Sequence, residues 1–102
     1  MPLAKLEVFP PRTVALSRFA KSLAHPARIA ILTFLEQHGE QPAMDIVDAL
    51  PLSQPATSRH LKELKKAGLL KSRLNGSQVL YRLDATRIRQ FCGAFNSTLH
   101  PH

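Results

Sequence analysis

The feature that most constrains the fold of this 102-residue chain is a change of hydrophobic period past its middle. Up to Gly68, apolar residues recur at helical spacing. Beyond it, LLKSRL and SQVLYRL flank Asn75-Gly76, the strongest short-range hairpin signal, and the helical period returns after Asp84. The element order is then helix, helix, helix, helix, hairpin, helix. With Asn75-Gly76 as the loop, Arg73 is expected opposite Gln78 and Ser72 opposite Val79.

The helices can be bounded from their breakers and caps. Pro2, Pro10 and Pro11 discourage helix, so residues 1–12 read as an extended arm. From Thr13, Leu16, Phe19, Ala20 and Leu23 follow the i, i+3, i+4, i+7 pattern. A second helix starts at Pro26, carries the stripe Ile29, Leu32 and Leu35 or Phe34, and ends at Gly39. PAMDIVDAL (42–50) is a short third helix that buries Met44 or Ile46 with Val47 and Leu50, and Pro51 stops it. Ser53 is an N-cap, Pro55 is tolerable in the first turn, and the fourth helix runs to about Ala67 with Gly68 as its C′ residue. Asp84 caps a fifth helix with the stripe Ile88, Phe91, Cys92, Phe95 and Leu99. One domain is expected over 13–99, followed by a tail at 100–102.

Charge narrows the partner. The net charge is +7 and the isoelectric point about 10.4, which favours a polyanion such as DNA, RNA or an anionic membrane surface. No apolar run approaches the ~18 residues that span a bilayer, and MPLAKLEVFPPR lacks a signal-peptide core, so the expectation is a cytoplasmic protein with no membrane partner. One cysteine excludes an intrachain disulfide framework and a four-thiolate zinc site.

The segment SQPATSRHLKELKKAGLL (53–70) joins these threads. Leu61, Leu64 and Gly68 lie on one side of the fourth helix with Thr57 near the edge. Gln54, Ser58, Arg59, Lys62, Lys65 and Lys66 lie on or near the other. A short helix, a tight turn and a second helix with short polar residues in its leading turns is a helix-turn-helix, whose second helix enters the major groove. Gln54 suits an adenine edge, Arg59 a guanine, Ser58 a base or a phosphate, and Lys62 a phosphate; Thr57 and His60 complete the candidate contacts on this helix. From Ser53 to Leu83 seven basic residues face Glu63 alone, nearly the whole cationic excess of the chain. The hairpin is then a basic wing along the backbone or minor groove, with Arg73 and Gln78 as its contacts. The fold class is mainly α (α+β): a winged helix-turn-helix of about five helices and one β-hairpin. A solvated lysine face beside an ordinary hairpin is the bland alternative.

HPARIAIL (25–32), DIVDALPLSQPATSRHLKELKKAGLL (45–70) and NGSQVLYRL (75–83) resemble the ArsR/SmtB family of bacterial winged-helix repressors. The resemblance covers about residues 14–95 and implies a homodimer, paired through first and last helices, that represses a promoter until an inducer binds. The residues agree: Ile88, Phe91, Phe95 and Leu99 form a large stripe for a terminal helix, which Leu16, Phe19 and Leu23 of a partner can cover. The other reading keeps both stripes in the monomer core. A palindromic operator in double-stranded DNA follows from the dimer. The resemblance also gives two metal-site positions. The thiolates of one fall here at Pro42 and Met44. The ligands of the other fall at Ala85, Arg87, Thr98 and Pro101, and a one-residue offset adds only Asp84. No metal site and no cofactor is therefore expected, and the inducer is not identified.

Several residues keep two readings. His25 precedes Pro26 and suits a helix cap; His38 suits a helix C-terminus. His60 either touches phosphate or packs at the helix pair. His100 and His102 belong to the tail. Cys92 is either a small apolar residue in the stripe or a thiol sensor facing its mate across the dimer. Ser58 and His60 diverge on one helix, and no phosphate loop occurs, so an enzyme is not expected. The competing function is a winged-helix module whose basic face meets an acidic protein. RNA is disfavoured by the lack of aromatic stacking platforms.

Overall fold

Prolines set the starts of three helices in the computed structural model, which describes residues 6–101. Pro11 and Pro26 open α1 (Pro11–Ser22) and α2 (Pro26–His38), while Pro55 lies in the first turn of α4 (Gln54–Lys66). A first-turn proline loses no hydrogen bond, because the N–H it lacks would have no helical partner. The remaining elements are β1 (Gln41–Pro42), α3 (Ala43–Ala49), β2 (Leu70–Asn75), β3 (Gln78–Leu83) and α5 (Ala85–Thr98), with a 3-10 turn at Leu6–Val8. The expected arm over 1–12 is thus corrected: α1 begins two residues before Thr13, and the turn at Leu6–Val8 replaces extended chain. The rest of that arm, residues 1–5, lies outside the described residues, as does His102.

The caps fall where side-chain chemistry requires them. Ser53 Oγ accepts the Ala56 N–H at 3.3 Å, Asp84 Oδ1 accepts the Arg87 N–H at 3.1 Å, and His25 Nδ1 accepts the Ala27 N–H at 3.0 Å. At the end of α4, Gly68 adopts φ +84°, donates to Lys65, and lets Leu69 donate back to Leu64 at 3.0 Å. This pair of bonds is a Schellman closure, which turns the chain sharply from α4 into β2.

The core lies between α2, α3, α4 and the base of the sheet. Ile31, Leu35, Ile46, Leu61, Leu64, Leu69 and Leu70 form it, with Phe19 of α1 against them. On α2 the buried stripe is Ala27, Ile31 and Leu35, and the expected inward residue Ile29 is 47% exposed. Both phases of this helix are apolar, so periodicity alone does not select one. On α3 Ile46 is buried and Met44 faces out.

Three strands pair in the order β1-β3-β2, all antiparallel. The two-residue β1 was not expected; a proline at an edge strand gives no periodic signal. The hairpin register also differs from expectation. Asn75 pairs with Gln78 and Arg73 with Leu80, so the loop is Gly76-Ser77 rather than Asn75-Gly76. An Asn75-Gly76 type I′ turn needs positive φ at both residues. Here only Gly76 has it, at +65°, which fits glycine at the first central position of a type II′ turn.

α1 folds back onto α5. Phe19 stacks on Phe91 with centroids 4.5 Å apart and 9° between planes, and Phe95 lies 5.6 Å away. Leu16 and Phe19, expected at a dimer interface, are therefore buried inside their own chain, and Leu23 is half-buried. Yet no residue of α5 is fully buried: Ile88, Phe91 and Phe95 are half-covered, Leu99 is 68% exposed, and Cys92 is exposed rather than packed.

Candidate nucleic-acid interface

Leu61 and Leu64 pin α4 to the core by one face, and this fixes which residues the helix offers outward. Gln54, Ser58, Arg59 and Lys62 are all exposed along its first two and a half turns, with Lys65 and Lys66 beyond them. Thr57, four residues before Leu61, shares the inward face and is 0% exposed. It is thereby corrected from candidate contact to core residue, and its Oγ1 is buried with no hydrogen-bond partner among the described residues. Thr57→Val keeps the shape and removes that unsatisfied hydroxyl, so it is expected to stabilise the fold by about 1 kcal/mol. Urea denaturation checks this; a destabilised variant would mean that the hydroxyl has a partner in solution.

His60 resolves toward packing. Its ring lies 4.4 Å from that of His25, and its Nδ1 accepts from Arg28 Nε at 3.1 Å. Arg28 also donates through Nη1 to the Ser22 carbonyl at 3.1 Å, tying α4 to the α1–α2 junction. Burial, and then the neighbouring His25, Arg28 and Arg59, hold the His60 pKa below its ordinary value. The unfolded chain therefore takes up this proton first as pH falls. The contribution of neutral His60 to stability is complete above about pH 6.5 and is lost as pH drops through that value toward the lower folded pKa. Thermal melts from pH 7.5 to 5 are expected to fall more steeply in the parent than in His60→Gln; parallel curves would remove His60 as the cause.

The wing carries its charges on one face. Cross-strand partners share a face, so Lys71, Arg73 and Gln78 lie with Arg82 and Leu80, opposite Leu70, Ser72, Leu74, Val79, Tyr81 and Leu83. Gln78 is exposed. Arg73 is not free, because its guanidinium grips Glu40, with Nη2 to Oε1 at 2.6 Å and Nε to both oxygens at 3.1 Å. Arg82 Nη1 lies 3.7 Å from the other oxygen of Glu40. The Arg73 hydrogen bonds, followed by the charges of Arg73 and Arg82, hold the Glu40 carboxyl below the usual carboxylate range. One carboxylate next to β1 thus fastens both strands of the wing. Glu40 and Arg28, which hold the wing and the His60 ring in place, are the residues of this surface that sequence reasoning missed. Their partners lie 33 and 32 positions away, and no local pattern announces such a pairing.

The arrangement matches known proteins on two scales. Residues 25–72 match the model of the bacterial regulatory protein, arsR family. The chain is 42% identical over 76 residues to the HTH-type transcriptional repressor SmtB of Mycobacterium tuberculosis, covering 72% of this chain and 56% of that one. It is 36% identical over 70 residues to the HTH-type transcriptional regulator MJ1325 of Methanocaldococcus jannaschii, covering 69% of this chain and 79% of that one. Among solved structures, an ArsR-like transcriptional regulator from Rhodococcus sp. RHA1 superposes with a TM-score of 0.76 at 26% identity, covering 84% of this chain and 80% of its own. The chain spans a little over half the length of the Mycobacterium repressor.

Proposed function

Because the chain belongs to the ArsR family of bacterial regulatory proteins, we propose that it is a sequence-specific DNA-binding transcriptional regulator, a dimeric repressor acting on a palindromic operator in the cytoplasm. The observation that carries this reading is the exposed set Gln54, Ser58, Arg59 and Lys62 on the leading turns of α4, a helix whose opposite face is fully packed. Short side chains at the leading end let the backbone approach base edges, while Arg59 and Lys62 reach further.

The dimer reading rests on what a single chain leaves uncovered. An apolar depression of about 450 Å³ lies between α1 and α5, lined by Pro10, Leu16, Ala20, Phe95 and Leu99 among others. Leu6, Val8 and Phe9 stand exposed on the preceding turn. A second copy covers such a face by two-fold symmetry and sets the half-site spacing. Through this interface Leu99, Phe95 and Phe91 act with Ile88 as the contact stripe, and Cys92 approaches its mate.

Fluorescence-anisotropy titration against the DNA upstream of the gene and a scrambled duplex, over a salt series, tests the reading. Selective binding that weakens steeply with salt is expected, with sedimentation giving a dimer. Equal weak binding to this DNA and to a genomic operator library would overturn it in favour of an acidic protein partner.

The same assay reads the wing. With Glu40→Gln the carboxylate that competes for Arg73 is gone, and Arg73 reaches a phosphate at full charge. The slope of log K against log salt on scrambled DNA is expected to steepen by about one. An unchanged slope would mean that the Glu40 pair does not restrain the wing.

A further inference from the structure

A second depression, of about 670 Å³, is cationic. It lies where the end of α1 meets the start of α2 and the flank of α4, and its charged lining is Arg18, Lys21, Arg28, Glu63 and Lys66, with His25 beside them. Four permanent cations thus converge on a concavity with one carboxylate. Among the described residues, none of these five groups takes part in an ion pair. Elsewhere the fold does pair its arginines where a carboxylate is near, as Glu40 shows on the wing. Unpaired like charges around a concave surface focus a positive potential and are relieved by an anion.

Arg28 makes the cleft more than a patch of mobile lysines. Its guanidinium is held half-buried at two points, Nε on His60 and Nη1 on the Ser22 carbonyl, so its remaining N–H groups are positioned before any ligand arrives. Ser22 itself is buried. The volume is in the range of small-molecule sites. Glu63 supplies an acceptor beside the cations, which suits a ligand bearing a hydroxyl or amine donor as well as its negative charges.

The location separates this cleft from both surfaces described above. At 100° per residue, Arg18 falls on the side of α1 opposite Leu16 and Ala20, while Lys21 lies on the flank between, and the cleft and the apolar groove share no lining residue. On α4 it touches Glu63, Lys66 and Ala67, in the C-terminal half, whereas the groove-reading positions occupy the leading turns.

We infer that the cleft between α1, α2 and α4 binds a small multivalent anion carrying phosphate or carboxylate groups. Its occupant bridges the α1–α2 junction to the recognition helix, through Arg28 and His60 as well as Lys66. The effect on DNA rests on the reading of this chain as a DNA-binding regulator; the binding itself does not.

Amide NMR titration of the full chain with pyrophosphate and with citrate, against sodium chloride at matched ionic strength, tests it. Saturable shifts centred on residues 18–28 and 63–67 are expected. Lys21→Gln/Lys66→Gln is expected to weaken binding at least tenfold, and the equally charged control Lys71→Gln/Arg89→Gln to leave it within twofold. Shifts that follow ionic strength alone, or equal losses in the two double variants, would overturn the site. The DNA arm separates the two readings. Pyrophosphate is expected to change operator affinity in the parent and not in Lys21→Gln/Lys66→Gln. Saturable anion binding in a chain that ignores DNA would keep the site and sink the repressor. If Lys21→Gln/Lys66→Gln lost DNA affinity while pyrophosphate failed to saturate the parent, the cleft would be a stretch of DNA track and the inference would fall.

Discussion

Leu64→Ala is expected to destabilise the fold by about 3–5 kcal/mol, at the upper end of leucine truncations. Leu64 is 0% exposed and lies in the middle of the cluster that joins α2, α3 and α4. It also belongs to the Schellman closure. Its carbonyl accepts the Leu69 N–H, and Leu69, equally buried, is in the position that normally packs on it. The surroundings cannot collapse into the vacated space without moving the turn at Gly68, so the cavity stays open. A domain of this size has only about 5–15 kcal/mol of stability in all, so the loss is a large fraction of it. Denaturant titration at several protein concentrations reads it, since association adds to the apparent value. A change below about 1 kcal/mol would show that this turn tolerates rearrangement. DNA affinity should then fall only in proportion to the folded fraction, because Leu64 touches nothing outside the core.

What the sequence made legible follows from what is local. The caps at Ser53, Asp84 and His25, the αL glycine at 68 and the inward face Leu61–Leu64 are each set within four residues, and each is found where the side chains require it. The misreadings come where two local answers are equally good or where the answer lies far away. Ile29 and Ile31 give α2 two acceptable apolar phases, and only packing against α4 chooses. Asn75-Gly76 and Gly76-Ser77 both make two-residue turns, and the chain takes the second, with Asn75 opposite Gln78 and positive φ at Gly76 but not at Asn75. Thr57 stood at the edge of a helical wheel, where one residue of rotation separates groove from core. Glu40 and Arg73 are brought together by the sheet alone. Leu16 and Phe19 showed a different limit. An apolar stripe states that a face must be covered, and only the structure reveals that α5 of the same chain covers much of it.

Arg59→Ala is expected to lower affinity for the operator by about 1–3 kcal/mol, roughly 5- to 150-fold, while lowering affinity for scrambled DNA by no more than the loss of one cationic contact. The difference between the two arginines of the interface decides the assignment. Arg59 is exposed on the leading half of α4 and engages no carboxylate among the described residues, so its planar donor fork is available for a guanine edge. Arg73 is already occupied by Glu40 and acts, with Arg82, through the charge and position of the wing. Arg73→Ala should therefore weaken operator and scrambled DNA alike and flatten the salt slope. Arg59→Ala should leave that slope within about one unit and collapse the ratio between the two DNAs. The folded state gives an internal check, because the Arg59 charge is only one of the causes that lower the His60 pKa. In Arg59→Ala an NMR titration of His60 is expected to stay below its ordinary value, because burial, His25 and Arg28 still act on it; a return to the ordinary value would mean that the helix has come away from its packing. Equal losses on both DNAs, with that titration still below the ordinary value, would make Arg59 a phosphate contact and pass the reading of bases to Gln54 and Ser58.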